Sequence, residues 1–203
     1  SGAPTPGWSN STLAANPPPF VDAVTHSPAA PRSTDTVTIS AHVTDADGVA
    51  SVRLWLQRVV PGQYIRLTDP QYQTDWVSIP MQPAGKDTYT AQTPAEMRFN
   101  RALVRYRVEA VDSGGRSITA PYADDPQPNF AYFVYDGPVP WRGAVHEKSL
   151  GPLNKVQTYN FGQMRPLPVY NLLAEQTDVD DPQFIPNSKL PAGYLGSEFA
   201  WRG

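Results

Sequence analysis

The stretch that decides the fold is VTISAHVTDADGVASVRLWLQRVV, residues 37–60. Apolar and polar residues alternate in both of its halves, with the period of two that is typical of a half-buried β-strand. The apolar positions are Val37, Ile39, Ala41 and Val43 in the first half and Val52, Leu54 and Leu56 in the second. A turn over residues 45–48 separates the halves. We therefore predict two strands, each with one buried face, in facing sheets.

Residues 103–111 form the clearest later strand. Its apolar face holds Val104, Tyr106, Val108 and Ala110, and its polar face holds Arg105, Arg107 and Glu109. We expect this strand to pair near residues 52–56 and to leave its polar face in water. Asp112, Ser113 and two glycines follow it, a sequence typical of a hairpin turn.

Shorter alternating segments predict further strands, at residues 20–26, 64–67, 76–81, 88–92, 117–120 and 130–135. The first alternates poorly, which indicates an edge strand. In the third, Val77, Ile79 and Met81 are predicted to point inward and Trp76 outward. The 23 prolines disfavour a helical protein. The sequence therefore predicts an all-β fold, an immunoglobulin-like or fibronectin-III-like β-sandwich with extended N- and C-terminal segments.

Three regions follow from this pattern. Residues 1–19 are rich in proline and small polar residues and predict a linker or extended arm, residues 20–136 form the sandwich, and residues 137–203 form a Pro/Gly-rich tail. At most one short helix is expected in the tail, capped by Thr177. The tail has many aromatic residues but too little regular structure to bury them alone, so we expect it to lie on a surface.

Composition limits the classes of partner. The 16 basic and 19 acidic residues give a net charge of −3, which does not suit nucleic acid. No apolar run approaches the roughly 18 residues that span a bilayer, so membrane insertion is not expected. The absence of cysteine excludes a disulfide framework and favours a bacterial extracellular module. No signal peptide begins at Ser1, so we expect a chain that is mature, processed or cut from a longer secreted protein.

The candidate metal ligands are Asp45, Asp47 and Asp112, which lie on turns between strands. Carboxylates on sandwich loops supply the oxygen ligands that calcium prefers. The same residues are also good turn formers, and the sequence favours turns. Calcium is the one cofactor considered. The three histidines lie in separate segments and no nucleophile motif is present, so we expect a non-catalytic protein.

The candidate interaction residues are Trp55, Trp76, Trp141, Tyr170 and Trp201. The first two occupy polar-register positions of predicted strands. Exposed aromatic rings stack on sugars or anchor protein interfaces. The alternative is that extra segments of the chain cover them, and the tail over residues 137–203 needs such a surface. The sequence leaves both interpretations open.

Parts of the chain resemble a known bacterial family. The runs LPVYNLL at residues 167–173 and GSEFAWRG at residues 196–203 resemble the entry into the kinase-like domain of spore coat protein H family proteins. RLTDP at residues 66–70 and APYADDPQPNF at residues 120–130 resemble the β-sandwich module that precedes that domain in large secreted proteins. The resemblance implies no catalytic residue within this chain.

Two classes of function are therefore expected. The first is a structural, assembly or adhesion module whose arms pack on its own surface or on a neighbour's, with self-association through the arms. The second is a carbohydrate-binding accessory domain that uses Trp55 and Trp76. A plain spacer before the kinase-like domain is a third expectation.

Overall fold

The computed structural model describes residues 16–144, 156–171 and 173–177. Its strands are β1 Phe20–Ser27, β2 Thr38–Thr44, β3 Val49–Val59, β4 Val77–Pro80, β5 Gln82–Pro83, β6 Thr88–Gln92, β7 Leu103–Asp112, β8 Ser117–Ala120, β9 Phe130–Phe133, β10 Trp141–Ala144 and β11 Val156–Tyr159. Two short helices, α1 Pro70–Thr74 and α2 Phe161–Met164, and a 3₁₀ turn at Ala95–Met97 complete the described elements. The predicted all-β fold is confirmed.

The strands form two main sheets. The first sheet has the order β1-β2-β6-β5, and the second has the order β4-β3-β7-β8, with β9 also paired to β7. All of these pairings are antiparallel. The two strands predicted from residues 37–60 lie in different sheets, and β7 pairs with β3 along its length, both as expected.

The core lies between the sheets and is built from the predicted apolar registers. Val37, Ile39, Ala41 and Val43 face Val52, Leu54, Leu56, Val104, Tyr106, Val108 and Ala110, and all of these are buried. Burial of this apolar surface is the main favourable term in folding. The alternation read from the sequence therefore identifies the core correctly.

Two local predictions are also confirmed. β1 pairs only with β2, as an edge strand does, and its register shifts between Asp22 and Thr25 around Ala23, whose φ is 47°. The bulge explains the poor alternation of this segment. The β7–β8 turn contains Gly115 at a φ of 83°, a conformation that glycine adopts without steric cost.

The connection between β3 and β4 differs from the prediction. Residues 64–67 form no strand, and α1 follows instead. Val77 was predicted to point inward but is 50% exposed, whereas Met81 is buried as expected. The reason is that β4 is a short edge strand that pairs only with β3. Alternation in a four-residue strand is too brief to determine which face is covered.

The tail also contains structure that the sequence did not indicate. β10 and β11 form an antiparallel hairpin in which Trp141 pairs with Tyr159, and α2 follows with a capping box at Asn160. Each strand has only four residues, so neither shows a period of two. Residues 176 and 177 are already helical, so Thr177 does not precede this turn as the predicted cap, and residues 178–203 lie outside the described residues.

Candidate functional site

The outer face of the second sheet collects polar and aromatic side chains. β3 places Trp55 and Gln57 there, and β7 places Arg105, Arg107 and Glu109 beside them. The pairing of the strands sets Trp55 opposite Arg107 and Gln57 opposite Arg105. Side chains directly opposite in an antiparallel pair lie close enough to interact.

Arg105 was predicted to face water but is only 3% exposed. Its Nη1 donates to Gln57 Oε1 at 2.9 Å and its Nη2 donates to the carbonyl oxygen of Ile65 at 2.7 Å. Its guanidinium lies over the rings of Tyr64 and Tyr72, 5.4 and 5.3 Å from their centroids. Carbonyl acceptors and aromatic faces thus surround the buried charge. The prediction was wrong because alternation does not reveal a second cover over the outer face.

Arg107 is held in a similar way. Its Nε donates to the carbonyl oxygen of Pro128 at 2.8 Å, and its Nη2 donates to Tyr72 Oη at 2.7 Å. Its guanidinium lies 4.2 Å from the ring centroid of Trp76. The indole nitrogen of Trp76 donates to the carbonyl oxygen of Tyr72 at 2.6 Å. One face of Trp76 is therefore covered by a cation of the same chain.

Trp55 and Trp76 are brought together. Trp55 Nε1 donates to Glu109 Oε2 at 2.8 Å. The two indoles border an open depression of about 220 Å³, which we call the indole depression and which is lined by Trp55, Gln73, Trp76, Arg107, Glu109 and Thr119. Aromatic surface and several polar groups thus meet in one concave site.

The cover over this face comes from residues 60–76 and not from the described part of the tail. Tyr72 on α1 is 3% exposed and contacts both arginines. Signals for this cover existed in the sequence, since three aromatic residues lie within residues 64–76. Of the other candidate interaction residues, Trp141 packs against Tyr159 with ring centroids 5.5 Å apart and ring planes 37° apart, and Trp201 lies outside the described residues.

A second concave site lies where the tail meets the sandwich. Gly62 and Glu175 form a parallel β-bridge, and the backbone N–H of Gln176 donates to the carbonyl oxygen of Gly62 at 3.0 Å. The cleft beside this contact has a volume of about 330 Å³, and its lining includes Val59, Tyr64, Phe133, Val169, Tyr170 and Leu173. Tyr170 itself is 93% exposed. The tail therefore contacts the sandwich at the end of β3.

Two of the three candidate calcium ligands, Asp45 and Asp112, accept hydrogen bonds within turns through their carboxylates. Asp45 Oδ1 accepts from the backbone N–H of Asp47 at 2.8 Å. Asp112 is 1% exposed, and its two carboxylate oxygens accept from the backbone N–H of Arg116 at 2.7 Å and from Asn16 Nδ2 at 3.0 Å. Within residues 16–144, 156–171 and 173–177, no group of three or more His, Cys, Asp or Glu side chains is placed to hold a metal ion. The structure thus does not assemble the three into a ligand set.

The shifted pKa values belong to the core and to one surface aspartate. Burial raises the pKa of Tyr106 to about 12, with a smaller contribution from Tyr132. Burial also raises the pKa of Tyr132. Hydrogen bonds from the side chain and backbone of Ser33 lower the pKa of Asp136. None of these groups lines the indole depression, so these shifts do not mark it as a site of proton transfer.

Sequence comparison places this sandwich among known domains. The family model for the bacterial Ig domain matches residues 22–120. No curated protein matches the chain. In the described part of the chain, no helix has the length and hydrophobicity needed to cross a membrane. The match stops before residues 167–203, so the resemblance of that run to the spore coat protein H family stays a prediction. The two facing antiparallel sheets are consistent with a bacterial Ig-like β-sandwich, the domain type to which residues 22–120 are similar.

Proposed function

We propose that the chain is a non-catalytic structural module of a secreted bacterial multidomain protein, with its C-terminal segment bound to its own sandwich. Ig-like domain families are in general non-catalytic, and bacterial ones often occur in extracellular proteins. The C-terminal segment is defined here as residues 169–171 and 173–177. Its role is to fix the direction in which the chain leaves the sandwich.

The observation that carries this proposal is the backbone contact at Gly62. A β-bridge to Glu175 and a 3.0 Å hydrogen bond from Gln176 restrain the segment. Apolar side chains add to the contact, since Val169 and Leu173 line the same cleft as Val59 and Phe133. A segment restrained at its backbone transmits orientation better than a free linker does. The module thereby acts as an oriented spacer for whatever follows it.

The same contact offers a route to assembly. If the C-terminal segment of one molecule bound the Gly62 site of another, head-to-tail contacts would join modules into a chain. The segment is tethered to the sandwich by its own chain, which favours binding within one molecule, because the effective concentration of a tethered segment is in the millimolar range. We therefore assign the contact to a single molecule.

Light scattering and hydrogen exchange test the proposal together. We expect the monomer mass at all protein concentrations, with the Gln176 amide exchanging more slowly than the intrinsic rate of an unstructured chain. Protection that appears only with a rise in mass at high concentration would show that the contact forms between molecules. Exchange of that amide at the intrinsic rate in the monomer would overturn the proposal.

A further inference from the structure

The indole depression carries an inference that goes beyond the structural role proposed above. It lies on the outer face of the second sheet, and neither Gly62 nor any residue of the C-terminal segment is among its lining residues. We propose that it binds one ring of a neutral saccharide. The proposal rests on the surface and the hydrogen-bonding groups that meet there, and it does not depend on where the C-terminal segment binds.

The aromatic surface comes from Trp55 and Trp76. An indole offers a large, flat, apolar surface that matches the C–H face of a pyranose ring. Arg107 lies over one face of Trp76, so Trp55 is the main stacking surface. The hydrogen bond from Trp55 Nε1 to Glu109 restrains the orientation of its ring.

The polar groups around the indoles retain unused hydrogen-bonding capacity. In the described hydrogen bonds, Glu109 uses Oε2, and Arg107 uses Nε and Nη2. Within the described residues, Glu109 Oε1 and Arg107 Nη1 therefore remain available for hydrogen bonds to a ligand. The side chains of Gln73 and Thr119 are available in the same way. An acceptor, a cationic donor, an amide and a hydroxyl suit the vicinal hydroxyl groups of a sugar.

Charge and size narrow the ligand class. Arg107 and Glu109 contribute opposite charges, so the lining carries no net charge. A phosphate or sulfate group would meet the Glu109 carboxylate, and a cationic group would meet the Arg107 guanidinium. The volume of about 220 Å³ is smaller than that of pockets for drug-sized ligands, which begin near about 300 Å³. A single neutral sugar ring, as part of a longer chain, fits these limits.

The site is organised before any ligand arrives. The Arg107 guanidinium is fixed by the carbonyl oxygen of Pro128, by Tyr72 Oη and by the ring of Trp76. Preorganised side chains lose little conformational entropy on binding, which favours affinity. If residues 60–76 served only to stabilise the sandwich, two indoles and four polar side chains would not need to surround an open depression.

Titration calorimetry with cellohexaose, hexa-N-acetylchitohexaose and maltohexaose tests the proposal, with a heparin-derived hexasaccharide as the charged comparison. We expect saturable binding of at least one neutral hexasaccharide, with a Kd between about 10 µM and 1 mM, because one ring makes few contacts. The heparin-derived hexasaccharide is expected to bind more weakly. Failure of all three neutral ligands at millimolar concentrations, or a preference for the charged one, would overturn the assignment.

Variants locate the binding. Trp55→Ala is expected to raise the Kd by at least about tenfold through loss of stacking. Gln73→Ala changes an exposed side chain on α1 and leaves the fold intact, and it is expected to raise the Kd by about two- to fivefold. The matched control is Trp141→Ala, which removes an exposed tryptophan outside the depression and is expected to leave the Kd unchanged. Unchanged binding in both Trp55→Ala and Gln73→Ala would also overturn the proposal.

Discussion

Two segments of the chain cover the outside of the sandwich, and they do so in different ways. The β3–β4 connection, residues 60–76, inserts Tyr72 and partly buries Trp76 over the outer face of the second sheet. The C-terminal segment contacts the same connection at Gly62 through the backbone and leaves Tyr170 93% exposed. The β3–β4 connection makes its contact through buried side chains, and the C-terminal segment makes its contact mainly through a backbone β-bridge.

The difference indicates which cover belongs to the folded unit. The buried Arg105 and the half-buried Arg107 each depend on the β3–β4 connection for one hydrogen-bond acceptor and for aromatic neighbours, so its removal would leave both charges without these partners. The C-terminal segment satisfies few buried groups, and its release would cost little. We expect the first cover to unfold with the sandwich and the second to open locally.

The largest effect is expected from Tyr72→Ala. This change removes a side chain that is 3% exposed and that links Arg107 to Asn129 through its hydroxyl group. Loss of a buried aromatic ring lowers the free energy of unfolding by about 3–5 kcal/mol. Urea denaturation measures the loss, with the exposed neighbour Gln73→Ala as the control, expected within about 0.5 kcal/mol of the parent. Equal values for the two variants would show that α1 is not part of the folded unit.

Arg105→Leu is expected to lower the free energy of unfolding by about 2–3 kcal/mol, because Gln57 Oε1 and the Ile65 carbonyl lose their donor while buried or partly buried. The double variant with Gln57→Leu should recover part of the loss, since one unpaired acceptor is then removed. The control is Arg53→Leu on the exposed part of β3, with an effect within about 0.5 kcal/mol. A loss no greater than that of the control would contradict the buried position of Arg105.

High pH tests the core between the two sheets. Burial raises the folded-state pKa of Tyr106 to about 12 from its ordinary value of 10.0, so the folded state retains a proton that the unfolded chain loses. Its contribution is therefore complete below pH 10 and is lost as the pH rises towards 12, by about 2 kcal/mol. Denaturant titrations from pH 9 to 12 measure this. Tyr106→Phe should flatten the decline, although Tyr132 contributes in the same direction.

Gln176→Pro is expected to have the smallest effect on the sandwich. Proline removes the N–H that donates to the Gly62 carbonyl oxygen, and it is tolerated at the start of a helix. The free energy of global unfolding should change by less than about 1 kcal/mol, while hydrogen exchange over residues 173–177 becomes faster. A large global loss would mean that the C-terminal segment belongs to the cooperative unit.

The sequence predicts the inner faces of both sheets well because strand alternation reports burial on one side directly. Ile39, Leu54 and Val108 are all buried, as their registers indicate. Alternation cannot report a second cover, so it misses the burial of Arg105, which was predicted to face water, and of Gln57, in the polar register of β3. Their partners come from Ile65 and Gln71, in an irregular connection whose path the sequence does not specify. The sequence named Trp55 and Trp76 as candidate interaction residues, but the depression that both indoles border depends on that same connection.

An engineered disulfide between the C-terminal segment and the sandwich tests the central structural claim most directly. A Cβ added at Gly62 lies 3.5 Å from the Cβ of Gln176, within the range that a disulfide spans, and the chain has no other cysteine. The matched control joins Gly85→Cys with Gln176→Cys, since Gly85 also has a positive φ but no atom within 4 Å of an added Cβ. We predict that oxidised Gly62→Cys/Gln176→Cys protein runs as a cross-linked monomer on non-reducing gels and that the control does not cross-link. Disulfide-linked dimers, or cross-linking no faster than in the control, would contradict the account.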